Sequence, residues 1–259
     1  MNKFNILISN DDGIDAPGLQ KLAAELGKFA NVYVAAPHKQ QSAVGHSITI
    51  FYPLRATEHY VNGKFFGWAV EGTPADAVKA GVLFFFKDVK FDLIVSGINH
   101  GANTAINIIY SGTVSAATEG SLLGVPSAAI SLTTFDKVAF DTPAKIAGEL
   151  IHTLLTDSRI KLTPKTLLNI NIPNIPEEQI KGVMVTKQGK SYWEDDFEVR
   201  SDPNGRDYYW LTGHMVLVDD SSEFDVKAVK ENYISITPLH YDLTDYEMIK
   251  EMKDWNLKI

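Results

Sequence analysis

Short apolar runs alternate along the first two thirds of the chain with longer stretches whose apolar positions recur every three or four residues. Residues 4–9 (Phe-Asn-Ile-Leu-Ile-Ser) form the first such run and read as a buried strand. Over 18–29, Leu19, Leu22, Ala23, Leu26 and Phe29 share one face at i, i+3, i+4 spacing, and Pro17 just ahead suits a helix start. Residues 32–36 then read as a second strand, closed by Pro37. A strand–helix–strand unit of this kind requires parallel pairing and a right-handed crossover.

The pattern recurs. Thr73 is placed to cap a helix with Pro74 at its first position and Asp76 near the positive end of its dipole, and that helix is expected to run to about residue 86. Strands are expected over 91–96, 128–132 and 167–172, with helices over 113–123 and 143–155 between them. Alternation of this kind predicts an α/β fold with a mostly parallel sheet covered on both faces. The last third differs: strands over 183–187 and 208–211 flank a polar stretch containing Asp202-Pro203-Asn204-Gly205, with Trp193 and Phe197 near a loop. Residues 246–255 predict an amphipathic helix burying Met248, Met252 and Trp255. Without repeats or a long linker, residues 1–259 are expected to form one main domain with an excursion.

Composition narrows the chemistry. A 259-residue chain with 45% hydrophobic and 22% charged residues suits a globular protein with a substantial core. It has no cysteine, so disulfides and thiolate metal sites are excluded. The opening residues have no basic start or long apolar stretch, and no segment reaches the roughly 18 apolar residues of a membrane span. A cytoplasmic protein with no membrane partner is expected. The net charge of −8 disfavours a nucleic-acid polymer as partner, yet admits a small anion where a bound cation reverses the local field.

Four segments carry candidate chemistry. Asn10-Asp11-Asp12-Gly13 follows the first strand, where open parallel sheets collect ligands. The segment is either a polar strand–helix turn, Asp-Gly being a common turn pair, or a half-buried pair of repelling carboxylates that a hard divalent cation, magnesium or manganese, neutralises. Gly97-Ile98-Asn99-His100-Gly101-Ala102-Asn103 follows another strand; its glycines let backbone curl towards an anion, and Asn99 offers a metal a neutral oxygen. Tyr110-Ser111-Gly112-Thr113-Val114 opens a helix, so its hydroxyls and N–H groups either bind an anion or cap the helix. Ser42, in a loop beyond the second strand, is either a surface serine or a further metal oxygen. His46 and His100 flank these segments and are candidates for protonating a leaving group. There is no His-x-x-x-His pair, no Gly-x-x-x-x-Gly-Lys-Ser/Thr loop and no Gly-x-Ser-x-Gly elbow.

Together these segments resemble the SurE family of metal-dependent nucleotidases, almost end to end. The resemblance includes Ser-Asn-Asp-Asp-Gly-Ile-Asp-Ala-Pro-Gly from Ser9, Gly-Thr-Pro-Ala-Asp from Gly72 and Ser-Gly-Ile-Asn from Ser96. It continues through Tyr-Ser-Gly-Thr-Val from Tyr110, Leu-Asn-Ile-Asn-Ile-Pro from Leu168 and Tyr-Ile-Ser-Ile-Thr-Pro-Leu from Tyr233. It implies a Rossmann-like three-layer sandwich and one divalent cation per subunit, Mg2+ or Mn2+, held by Asp11, Asp12, Ser42 and Asn99. Asp11 and Asp12 are the implied catalytic residues, and Asn10, Gly97, Asn103, Ser111, Gly112 and Thr113 the implied phosphate pocket. The implied activity is hydrolysis of nucleoside 5′-monophosphates, with 3′-monophosphates and short polyphosphate as further substrates. A homodimer or homotetramer is implied too, exchanging a β-hairpin over about 187–215 and a C-terminal helical segment over about 241–259. Two rival readings are a metal-dependent glycosyltransferase using a nucleotide-sugar and a non-catalytic nucleotide-binding protein.

Overall fold

The computed structural model describes residues 3–134, 136 and 139–255. The first strand, β1 (Phe4–Ser9), sends Ile6 and Ile8 to one side and Leu7 to the other, all fully buried, as period-two alternation in a doubly covered strand requires. Helix α1 (Pro17–Leu26) starts at its proline and buries Leu19, Leu22 and Leu26. It leads to β2 (Ala30–Pro37), which pairs with β1 in parallel.

The chain next forms a hairpin absent from the sequence expectation, β3 (Ala56–Val61) and β4 (Lys64–Val70). Asn62 and Gly63 turn it at positive φ of 51° and 74°. Asn-Gly is the favoured pair for a two-residue hairpin turn, so the signal was present. The polar outer face of β3 hid the strands themselves. Helix α2 (Pro74–Ala80) is shorter than expected, because Gly81–Phe85 widens into a π-helical turn that leaves Phe85 stacked on Trp68 at 4.4 Å.

Strand β5 (Leu93–His100) runs past the expected end at Ser96 and breaks register with its neighbour between Ser96 and Asn99. The short helix α3 (Asn107–Tyr110), then α4 (Gly112–Leu122), β6 (Ser127–Leu132), α5 (Asp141–Thr156) and β7 (Leu167–Ile172) follow. After β7 come β8 (Val183–Val185), the strands β9 (Tyr192–Ser201) and β10 (Asp207–Val216), α6 (Asp225–Lys230), β11 (Ile234–Pro238) and α7 (Tyr246–Met252).

Nine strands make one sheet in the order β3-β4-β2-β1-β5-β6-β7-β11-β8. Its centre is parallel; β3 and β11 bring the antiparallel pairings. Helices α1 and α5 pack together on one face and α2 and α4 on the other, giving three layers. From β1 the chain moves to β2 on one side and later to β5 on the other. The crevice between the carboxyl ends of β1 and β5 is therefore a topological switch point, where such sheets bind ligands. Among the described residues no helix is long and apolar enough to cross a membrane.

Three expectations for the last third change. Trp193 and Phe197 lie within β9, not near a loop. The β9–β10 hairpin begins at Tyr192, later than expected, because the residues before it are fixed to the body: Lys187 N donates to Glu223 O at 2.7 Å and Ser191 Oγ to Asp219 Oδ2 at 2.5 Å. Met248 and Met252 in α7, and Trp255 just beyond it, remain 41%, 40% and 51% exposed rather than buried. Apolar periodicity shows that a helix face needs cover, not that its own chain supplies it. The end of the expected tail, 256–259, lies outside the described residues.

The packing separates two kinds of substitution. Leu22→Ala, in the fully buried face of α1, is expected to lower unfolding free energy by about 3 kcal/mol in urea titration. Arg159→Ala, which removes an exposed ion pair with Asp157, should leave the urea midpoint nearly unchanged in the same measurement.

Candidate active site

The turn after β1 is built by its own side chains. Asn10 is fully buried and donates Nδ2 to Gly13 O at 2.9 Å, closing the turn so that Asp11 and Asp12 sit at the mouth of the crevice. The loop after β2 is laid across it: Gln41 N donates to Asp11 O at 2.7 Å and Ile14 N to Pro37 O at 2.9 Å. Gln40 Nε2 then donates to Ser42 Oγ at 2.9 Å and reaches Asp12 Oδ1 at 3.5 Å, the outer limit for such a bond. Ser42 is thereby brought beside Asp12, although 28 residues separate Gln40 from that acid.

The same loop is fastened at further points, including Ser47 O, which accepts from Thr73 Oγ1 at 2.7 Å. Gly45 N donates to Tyr110 O at 3.1 Å. His46 Nε2 pairs with Glu119 Oε2 at 2.9 Å. Thr49 donates through N and Oγ1 to the two Asp76 oxygens at 2.9 and 2.7 Å. Asp76 also completes a capping box with Thr73, so it holds the α2 start and the Ser42 loop together. Beyond these anchors the loop is open, with Phe51 91% exposed.

From β5 come Gly97 and Asn99. Gly97 has φ +141°, and a Cβ there would stand 2.4 Å from Ile130 O, so the close approach of β6 by itself demands glycine. Asn99 donates Nδ2 to Gly101 O at 2.8 Å, which makes Oδ1 the atom it can offer a cation. Asn103 is buried and held on every side: its N and O bond to Asn171, its O also accepts from Asn169, and its Nδ2 donates to Ser131 Oγ at 2.8 Å. The third wall is the N-terminus of α4. Ser111 Oγ accepts from Val114 N at 3.0 Å, which is the capping use, and still has its own hydroxyl proton to donate. Thr113 Oγ1 donates to Asp11 Oδ1 at 2.5 Å, and Gly112 lies so close that a Cβ would stand 2.7 Å from Asp11 Cβ. The first N–H groups of such a helix have no partner within it and favour an anion.

Charge is in tension here. Burial pushes the Asp11 carboxyl up to about 6; the Thr113 hydroxyl pulls the other way, and the Asp12 charge raises it further. Burial raises Asp12 too, against the His100 backbone N–H and imidazole, which lower it. Glu119, 3% exposed on α4, is the contrary case: burial would raise it, but His46 and Lys79 outweigh that and hold it below the usual carboxylate range. Among the described residues no group of three or more His, Asp and Glu side chains could hold a metal. The available donors are instead two carboxylates with the neutral oxygens of Ser42 and Asn99. This hard-oxygen set suits a divalent cation such as Mg2+ or Mn2+ that keeps several waters. Asn10 Oδ1 and Ser9 Oγ, buried beside the pair without a hydrogen-bond partner, leave further oxygen lone pairs unspent.

The ten expected site residues lie after β1, after β2, at and beyond the end of β5, and at the start of α4. Sequence reasoning missed Gln40, which joins Asp12 to Ser42, and the Glu119–Lys79–His46 cluster behind them. It also missed the network under Asn103, whose signal was two asparagines, 169 and 171, alternating in an otherwise apolar strand.

With a folded-state value near 6 against 3.8 unfolded, Asp11 favours the fold fully below about pH 4, and this contribution is lost as pH rises through about 6. A cation that neutralises the pair restores it. Mn2+ neutralising this pair would raise the melting temperature more at about pH 7.5 than at about pH 5, by calorimetry at fixed metal concentration. Thr113→Val removes the hydrogen bond that favours ionised Asp11, so the pH midpoint of Mn2+ binding should move upward.

Comparison with known proteins matches this architecture and sequence. Residues 6–195 match the family model described as Survival protein SurE. The chain is 45% identical to 5′-nucleotidase SurE of Chlorobium phaeobacteroides, across 100% of this chain and 98% of that protein. It is 44% identical to the protein of the same name from Syntrophobacter fumaroxidans, across 98% of this chain and all of the other. Among solved structures, the SurE protein from Aquifex aeolicus superposes with a TM-score of 0.82 at 37% identity, covering 96% of this chain and 98% of its own. With family motifs, whole-length identity and fold in agreement, the chain belongs to the SurE family.

Proposed function

We propose that the protein is a divalent-metal-dependent phosphomonoesterase that hydrolyses nucleoside 5′-monophosphates, and also 3′-monophosphates and short polyphosphate. The observation that carries this reading is the 2.5 Å bond from Thr113 to Asp11, which sets an acidic pair against the N-terminus of α4. A phosphoryl group is stabilised by a cation and by anion-binding N–H groups, and here the acidic pair that would hold the cation lies against the start of α4. The names carried by relatives 43–45% identical, 5′-nucleotidase SurE, support the same activity.

In this reading Asp11, Asp12, Ser42 and Asn99 hold one Mg2+ or Mn2+. When bound, the ion neutralises charge building up at phosphorus and lowers the pKa of a water. Asn10, Gly97, Asn103, Ser111, Gly112 and Thr113 form the phosphate pocket. Backbone N–H groups of Gly112 and Thr113 and the Ser111 hydroxyl donate to the equatorial phosphoryl oxygens. Thr113 keeps Asp11 ionised by donating to Oδ1, and Gly112, having no side chain, lets the carboxylate lie against the helix end. Asp11 or Asp12 orients the attacking water and accepts its proton, while Asn10 and Asn103 hold the turn and the strand end in place.

Surface left uncovered supports an oligomeric assembly. The β9–β10 hairpin stands apart from the large sheet, with Phe197, Tyr209, Trp210 and Leu211 exposed, and α7 presents Met248, Ile249 and Met252 outward. A lone two-stranded hairpin is only marginally stable, and exposed apolar surface of this extent marks an interface. The hairpin and the C-terminal segment are therefore taken to be exchanged between subunits of a homodimer or homotetramer.

Asp11→Asn should reduce phosphate release from AMP in Mn2+ by about 100-fold or more, and a chelator should abolish release by the unaltered protein. Near-normal turnover by the variant would remove Asp11 from this role. Light scattering should give two or four times the 28.6 kDa chain mass; a monomer would overturn the exchange.

A further inference from the structure

An aromatic-walled cavity of about 650 Å³ opens beside the proposed phosphate site, lined by Ala43, Asn107, Tyr110, Tyr192, Trp193 and Asp195 among others. Its position is set by the chain itself. Ala43 directly follows Ser42, and Tyr110 directly precedes Ser111, so the cavity begins one residue from both sides of the proposed centre. The Gly45 N to Tyr110 O bond ties these two walls together. The far wall is the foot of the β9–β10 hairpin, and it too is fixed: Trp193 Nε1 donates to Asn107 Oδ1 at 2.7 Å. Ser191, just before the hairpin, is bonded through N and Oγ to Asp219. Tyr110, Tyr192 and Trp193 line this opening while remaining 55%, 48% and 41% exposed.

We propose that this cavity is the nucleobase subsite, in which the base stacks on the aromatic wall that includes Trp193 while Asp195 accepts a hydrogen bond from a donor on the nucleoside. The proposal rests on the phosphomonoesterase reading and adds where the rest of the substrate goes. A phosphate seated at the start of α4 leaves the nucleoside to extend along a neighbouring surface. Bases bind most readily where a ring offers them a π-face, and stacking tolerates differences between bases. A second cavity bordering the loop after β2, lined by His38, Lys39, Thr49, Glu71 and Thr73 among others, has no Phe, Tyr or Trp in its described lining. Because a purine overlaps more aromatic surface than a pyrimidine, AMP should be favoured over CMP.

Steady-state hydrolysis of AMP, CMP and ribose 5-phosphate in Mn2+ tests the assignment, since ribose 5-phosphate is the same ester without a base. Trp193→Ala should raise KM for AMP by about tenfold or more, leaving kcat for AMP and kcat/KM for ribose 5-phosphate within about twofold. Trp193→Phe, which keeps a ring, should recover most of the loss. An equal loss on AMP and ribose 5-phosphate, or no loss on AMP, would overturn the subsite. If the unaltered protein hydrolyses neither ester, the phosphomonoesterase reading fails on its own. Adenosine titration then still decides the subsite: quenching of tryptophan fluorescence that disappears in Trp193→Phe supports it, and unchanged or absent quenching overturns it.

Discussion

Two carboxylates adjacent in sequence, Asp11 and Asp12, are held where burial works against the charge of each. Such a pair persists only if the fold forces it, and the fold does so from every direction. Fully buried β1 fixes where the acids emerge, and Asn10 closes the turn beneath them. The loop after β2 crosses above them, and the N-terminus of α4 presses against Asp11 without even a methyl group between. The core supplies the rigidity that keeps this costly arrangement from relaxing, and a cation in the proposed site would remove the cost.

Much of this was readable in the chain because its determinants are local. Apolar periodicity defined the central β-α-β alternation, and the order of motifs placed each candidate residue at a strand or helix end. What stayed hidden depended on contacts between distant segments. Gln40 is an unremarked glutamine until the fold brings it beside Asp12. Glu119 has the sequence appearance of a solvent-facing helix residue, yet it is buried because Lys79 and His46 arrive from two other elements to compensate it. The outward face of α7 shows the converse limit: periodicity specified an apolar stripe correctly and left its cover undetermined. At β5 the glycine at 97 drew attention for anion binding, whereas the close passage of Ile130 already requires it.

The division of labour between sheet and appendages is equally plain. The nine-stranded sheet and its helices position the proposed phosphate chemistry, while the β9–β10 hairpin contributes no residue to the acid pair or the helix N-terminus. Its foot nevertheless reaches the centre's edge through Trp193 and Asn107. Surface added late in the chain can therefore alter what enters the crevice without disturbing the charge balance inside it.

The loop carrying Ser42 has two regions with opposite tolerance to change. Between Pro37 and Thr49 it is stitched down at Gln41, Gly45, His46 and Thr49, so losing a single residue there would slide Ser42 out of phase with Asp12. Past Thr49 the stitches stop and Phe51 projects into open space. Insertions and length variation among descendants of this sequence should accordingly accumulate after Thr49 and be purged before it.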